Sequence, residues 1–79
     1  MTLNDKQRQK TSGELISNFE LSGLSNDEVQ QDLGFTVAQL DQTLRMTPES
    51  SAADVRRLRD YLDRKVLETG EEPFPYSLL

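Results

Sequence analysis

Read as a string of apolar and polar positions, the chain shows helical spacing in four stretches. The first runs from about Asn4 to Glu20; its front half is polar, and its back half sets Leu15, Ile16 and Phe19 on one side. Thr11 and Glu14 stand at capping-box spacing, which marks Ser12-Gly13 as the place where this helix would break in two. One continuous helix is the preferred reading. Leu21-Ser22-Gly23-Leu24 follows as a turn, with Gly23 suited to a helix C-terminus. Ser25-Asn26-Asp27-Glu28 is a capping box of the S-x-x-E form, and its two acids suit the positive end of a helix dipole. The helix it opens carries Val29 and Leu33 on one stripe and ends at Gly34. Thr36-Val37-Ala38-Gln39 is another box, T-x-x-Q, and opens a third helix with apolar positions Val37, Leu40 and Leu44. Met46-Thr47-Pro48 ends it, because proline cannot continue a helix and forces its predecessor out of helical backbone.

The last helix begins near Ser50 or Ser51 and runs to about Glu68. Val55, Leu58, Leu62 and Val66 form its core stripe, with Tyr61 beside it. Its other face sets Arg56 four positions from Asp60, Arg59 from Asp63 and Asp60 from Arg64. Exposed pairs of this kind contribute only about 0.2–0.5 kcal/mol each. Thr69-Gly70 stops the helix, and the two prolines of Pro73–Leu79 leave an extended tail. The pattern predicts an all-α, four-helix domain spanning residues 1–79. A helix-turn-helix motif occupies about 25–45, the C-terminal helix about 51–68, and the tail, 70–79, docks on the body.

Composition narrows what such a domain can do. At 79 residues the chain makes one domain, and with 34% hydrophobic residues, five aromatics and no Trp its core is thin. Self-association, most simply a homodimer, or a partner would add the missing apolar contact. There is no Cys and no His, so disulfides, thiolate or imidazole metal sites and the usual nucleophile–base pairs cannot be built. The 14 carboxylates fall on solvated faces rather than at a recognisable pocket, and no D-x-D-x-D-G calcium loop is present. The expectation is a non-enzymatic protein with no cofactor and no metal. No apolar run approaches the ~20 residues that span a bilayer, and the N-terminus lacks a signal-peptide core, so a cytoplasmic protein without membrane contact is expected.

The segment from Asn26 to Arg45 is the most informative. A short helix, a glycine turn at Gly34, an apolar plug at Phe35 and a second helix follow one another at the spacing of a helix-turn-helix. Gln31-Asp32-Leu33-Gly34-Phe35 through Leu40 to Thr43-Leu44 resembles phage-repressor-type segments. It departs from them four residues before the glycine, where Gln30 stands in place of the small residue, usually Ala, that those motifs favour.

The whole chain also resembles the short bacterial family called domain of unknown function 2316 (DUF2316). The resemblance is carried by Leu3-Asn4, Thr11-x-x-Glu14-Leu15, Asn18-Phe19-x-Leu21-Ser22-Gly23-Leu24-Ser25, Asp32-Leu33-Gly34, Leu58-Arg59-Asp60-Tyr61-Leu62 and the Pro73–Tyr76 ending. It implies a stand-alone helix-turn-helix-like protein and brings no activity with it.

Charge divides the remaining readings. Residues 1–13 hold three cations against one acid, 14–44 six acids and no cation, 45–65 six cations against four acids, and 66–79 three acids, for a net charge of −5. On the first reading the protein is a transcriptional regulator that binds double-stranded DNA, and its third helix enters the major groove. Thr36, Val37, Ala38, Gln39, Asp41 and Gln42 would then face the bases, glutamine being a sound reader of adenine. Lys6, Arg8, Lys10, Arg45, Arg56, Arg57 and Arg59 would contact phosphates. The acidity of the motif counts against this, since phosphate neutralisation carries most non-specific affinity. On the second reading the domain is a protein-interaction module: its acidic face meets a basic protein partner, and the tail aromatics Phe74 and Tyr76 pack on a neighbour or on the body.

Overall fold

The structure, a computed structural model, describes residues 3–79. Among these the chain forms four helices and no strand: α1 (Asp5–Ser22), α2 (Asn26–Leu33), α3 (Val37–Arg45) and α4 (Ala52–Glu68). Among the described residues, no helix is long and apolar enough to cross a membrane.

Local side-chain chemistry sets most helix ends. Asn4, Ser25 and Thr36 each accept a hydrogen bond from the backbone three residues on, and Gln7, Glu28 and Gln39 return it, giving three complete capping boxes. Ser51 caps α4 by accepting from the Asp54 amide at 3.0 Å. Gly23 and Gly34 end α1 and α2 in left-handed backbone, with φ of 70° and 72°. Met46 ends α3 in the same conformation at φ 55°, and its side chain is buried. A non-glycine residue there costs roughly 1–2 kcal/mol, which burial of a methionine side chain, worth about 1.5–3 kcal/mol, offsets.

α1 is one unbroken helix through Ser12-Gly13. Thr11 and Glu14 do not cap a second segment; both are buried, and Glu14 accepts instead from Ser77 in the tail. Ile16, expected beside Leu15 and Phe19, is 39% exposed while Leu15 is fully buried. The reason is angular: Leu15 and Phe19 lie a turn apart, and Ile16 falls about 100° further round, past the edge of the buried face. The rest of that face is polar, with Ser12, Asn18 and Ser22 beside Thr11 and Glu14.

α1 packs on α3 and α4, and α3 packs on both α2 and α4. Val55, Leu58, Leu62 and Val66 all turn inward, with no more than 1% exposure. Leu15, Val29, Phe35 and Leu40 meet them, and Tyr61 is buried with them. None of the three ion pairs expected four residues apart on α4 forms. Arg59 meets its neighbour Asp60 at 3.1 Å, and Oδ1 of Asp63 is buried without a hydrogen-bond partner.

Residues 71–79 have no regular structure and run antiparallel to α1. The Asn18 side chain accepts from the Phe74 amide at 2.5 Å and donates to the Phe74 carbonyl at 2.9 Å. One turn back, Glu14 accepts from the Ser77 amide at 3.3 Å and its hydroxyl at 3.0 Å. Tyr76 and Leu79 pack against the core, and Phe74 stays 46% exposed.

Candidate interaction surface

α2, the Gly34 turn and α3 form a unit closed by Phe35, which is buried at the corner under the guanidinium of Arg57, 5.3 Å from the ring centre. The same Arg57 donates to the Leu33 carbonyl at 2.6 Å, satisfying a backbone acceptor at the end of α2. Between the two helices lies an open groove of about 410 Å³, lined by Asn26, Gln30, Val37, Ala38, Leu40, Asp41 and Leu44. Gln30, at the position where repressor motifs favour a small residue, is part of that lining. Val37, an apolar position of α3 and one of the residues proposed to face bases, is 69% exposed at the groove's rim. Leu40 is the buried apolar residue of α3, and Leu44 packs against the core beside it.

The six residues proposed to face bases divide into two groups. Thr36 is the N-cap, its hydroxyl accepting from the Gln39 amide at 3.0 Å. The Gln39 side chain accepts from the Thr36 amide at 3.3 Å and donates to Asp54 of α4 at 3.0 Å, so its carboxamide is engaged at both ends. Val37, Ala38 and Asp41 face outward, and Gln42 is half-buried.

Four of the seven cations proposed to meet phosphates are engaged within the chain. Arg8 pairs with Asp5 and donates to the Leu3 carbonyl at 2.6 Å. Arg45 pairs with Asp41 at 3.1 Å, Arg59 with Asp60, and Arg57 caps α2. Lys6, Lys10 and Arg56 are exposed and form no ion pair among the described residues. Ser12 fixes which side of α1 meets α3, since its hydroxyl donates to the Leu44 carbonyl at 2.6 Å. At 100° per residue, Lys10 and Lys6 lie about 160° and about 120° round α1 from that side. They point away from α3.

Acids shape the field on the α2–α3 side. Asp27, Glu28, Asp32 and Asp41 are all exposed there. Asp32 accepts from the Tyr61 hydroxyl at 2.5 Å; burial, this hydrogen bond and the nearby carboxylate raise the Tyr61 phenol well above its ordinary range. Within the tail, burial pushes Tyr76 up to about 12, with Asn18 opposing the rise and Asp63 adding to it. Burial also raises Asp63, which Arg59 partly offsets and Asp60 reinforces.

Sequence reasoning passed over the residues that lock this arrangement together. Asn18 and Glu14 carried a signal, since both fall a turn apart on the buried side of α1, where a polar residue needs a partner. Nothing in the local sequence assigns Arg57 to the end of α2 or Asp54 to Gln39.

The family described as "Uncharacterized protein conserved in bacteria (DUF2316)" matches residues 1–79, the whole chain. No curated protein matches, and no solved structure does.

Proposed function

Starting from a chain that belongs to the family of uncharacterized proteins conserved in bacteria, DUF2316, we propose that it is a non-enzymatic binding module whose α2–α3 face meets a protein partner with a basic surface. The observation that carries this reading is the composition of the exposed face of α3. Val37, Ala38 and Asp41 are presented over an open groove, and the cation within that helix, Arg45, is already paired with Asp41. An apolar rim beside an excess of acids favours a cationic, partly apolar partner and repels phosphates. The tail is a weaker candidate for the contact, because Tyr76 packs inward and the backbone on either side of it is bonded to α1.

A DNA-binding regulator is the second reading, and one observation favours it. The α2–turn–α3 unit leaves the first turn of α3 exposed, as a helix that enters the major groove requires. Contacts would then come from Val37, Ala38, Asp41 and Gln42, with Arg56 and the two lysines of α1 reaching phosphates around the duplex.

Titration of mixed-sequence duplex DNA across a salt series separates the two, run beside affinity capture with the wild-type chain and a Val37→Glu/Asp41→Lys variant. The expected result is no DNA affinity at low salt, and a bound protein that the variant loses while Lys6→Glu and Lys10→Glu retain it. DNA affinity that falls steeply with salt, and is weakened by Lys6→Glu, Lys10→Glu or Arg56→Glu, would overturn the protein-binding reading in favour of the regulator.

A further inference from the structure

We infer that the groove on α2 and α3 receives the outer face of α4 from a second copy of this chain, with Leu67 seated on Val37 and Arg64 against Asp41. The inference rests on the reading of the α2–α3 face as a protein-binding surface and names its occupant. Val37 and Leu67 are the two most exposed large apolar side chains among the described residues, at 69% and 60%. Each stands about one helical turn from a charge of opposite sign. Asp41 follows Val37 by four positions on α3, and Arg64 precedes Leu67 by three on α4.

Each charge has one contact within its own chain and room for another, the Arg64 guanidinium lying 5.9 Å from the Tyr61 ring centre. Arg45 engages Oδ1 of Asp41, and a carboxylate has a second oxygen with which to accept another guanidinium. Arg64 is exposed and forms no ion pair among the described residues. On the α4 wheel, Arg56, Arg64 and Leu67 fall within about 80° of one another, one basic stripe with an apolar end. Asp60 lies on that stripe with its charge engaged by Arg59. The groove helices offer the complement, since α2 and α3 hold four acids, Asp27, Glu28, Asp32 and Asp41, against one cation, Arg45. Within one folded chain both surfaces remain exposed, so their complementarity is satisfied only between molecules. Every copy carries both groove and stripe, so a two-fold arrangement uses two such contacts and closes as a dimer.

Sedimentation equilibrium of the full chain at low salt, over a wide concentration range, tests this. The expected result is a reversible monomer–dimer equilibrium, weakened at least about tenfold by Asp41→Arg or Arg64→Asp alone and by Leu67→Ser. The Asp41→Arg/Arg64→Asp swap restores association, because it reverses the pair while keeping its sign complementarity. All these positions are exposed, and circular dichroism checks that each variant keeps its helices. A single-chain mass at every concentration overturns the inference, as does a dimer that the single changes leave intact or that the swap fails to restore. Should self-association fail while the Val37→Glu/Asp41→Lys variant still loses a captured protein, the binding face stands and only its occupant changes.

Discussion

On α4, Asp63 lies under the tail with its Oδ1 out of solvent and without a hydrogen-bond partner, and the Tyr76 hydroxyl close to it is in the same state. Burial raises the Asp63 carboxyl, so the folded chain holds its proton more tightly than the unfolded chain does. The sign follows from linkage. Above the folded value, folding must place an ionised carboxylate where it is poorly solvated, and stability is lost. As pH falls through the folded value towards the unfolded one, near about 4, that cost disappears. Asp63→Asn, neutral at all pH, is therefore expected to raise Tm by a few degrees at pH 7. The advantage over wild type should shrink steadily as the pH is lowered towards about 4 in thermal melts. Such a site was not legible from spacing, which assigned Asp63 to an exposed pair with Arg59. Its surroundings come from a segment more than ten positions away along the chain.

At the scale of the helix and its ends, the sequence was far more readable. The boxes at Ser25–Glu28 and Thr36–Gln39 and the stops at Gly23 and Gly34 all stand where local chemistry places them, because each depends on atoms within a few residues. What periodicity could not supply was the direction of a stripe. It grouped Ile16 with Leu15 and Val37 with Leu40, yet Ile16 and Val37 face outward, since only the neighbouring helix decides which edge of an apolar arc is covered. The turn between α2 and α3 gives a clean test of the local term. Gly34 sits at φ 72°, and a Cβ there would meet no atom within 4 Å. Gly34→Ala should thus lose only backbone conformational energy, roughly 1–2 kcal/mol, read as a lower urea midpoint with an unchanged slope. A loss several times larger would mean that the turn moves and the groove with it.

Taken whole, the molecule compensates for a thin core with a polar seam. Buried Ser12 ties α1 to α3, while Asn18 and Glu14 tie it to the tail, which brings Tyr76 and Leu79 onto the apolar cluster. Asn18 is fully buried and makes two hydrogen bonds to the Phe74 backbone. Asn18→Ala removes both and strands the Phe74 amide and carbonyl, so a loss of about 2–3 kcal/mol is expected in urea unfolding. NMR signals of residues 73–79 should collapse towards random-coil positions in that variant while those of α2 and α3 stay in place. Docking of the tail was anticipated from the shortage of apolar residues, but the polar partners that hold it were not, because a buried asparagine announces a need without naming its match.

The same seam sets an order of events in time. Asn18 and Phe74 stand 56 positions apart, and Glu14 and Ser77 stand 63 apart, whereas the helix caps close over three. Bringing such distant segments together costs loop entropy that local turns avoid, so the tail settles after the helices have assembled. Contacts made after the rate-limiting barrier govern escape from the native state rather than arrival at it. In stopped-flow measurements, loss of the Asn18 clamp should therefore speed unfolding and leave the refolding rate almost untouched. The tail is a brake on opening, and the lifetime of the folded molecule depends on it more than its rate of formation does.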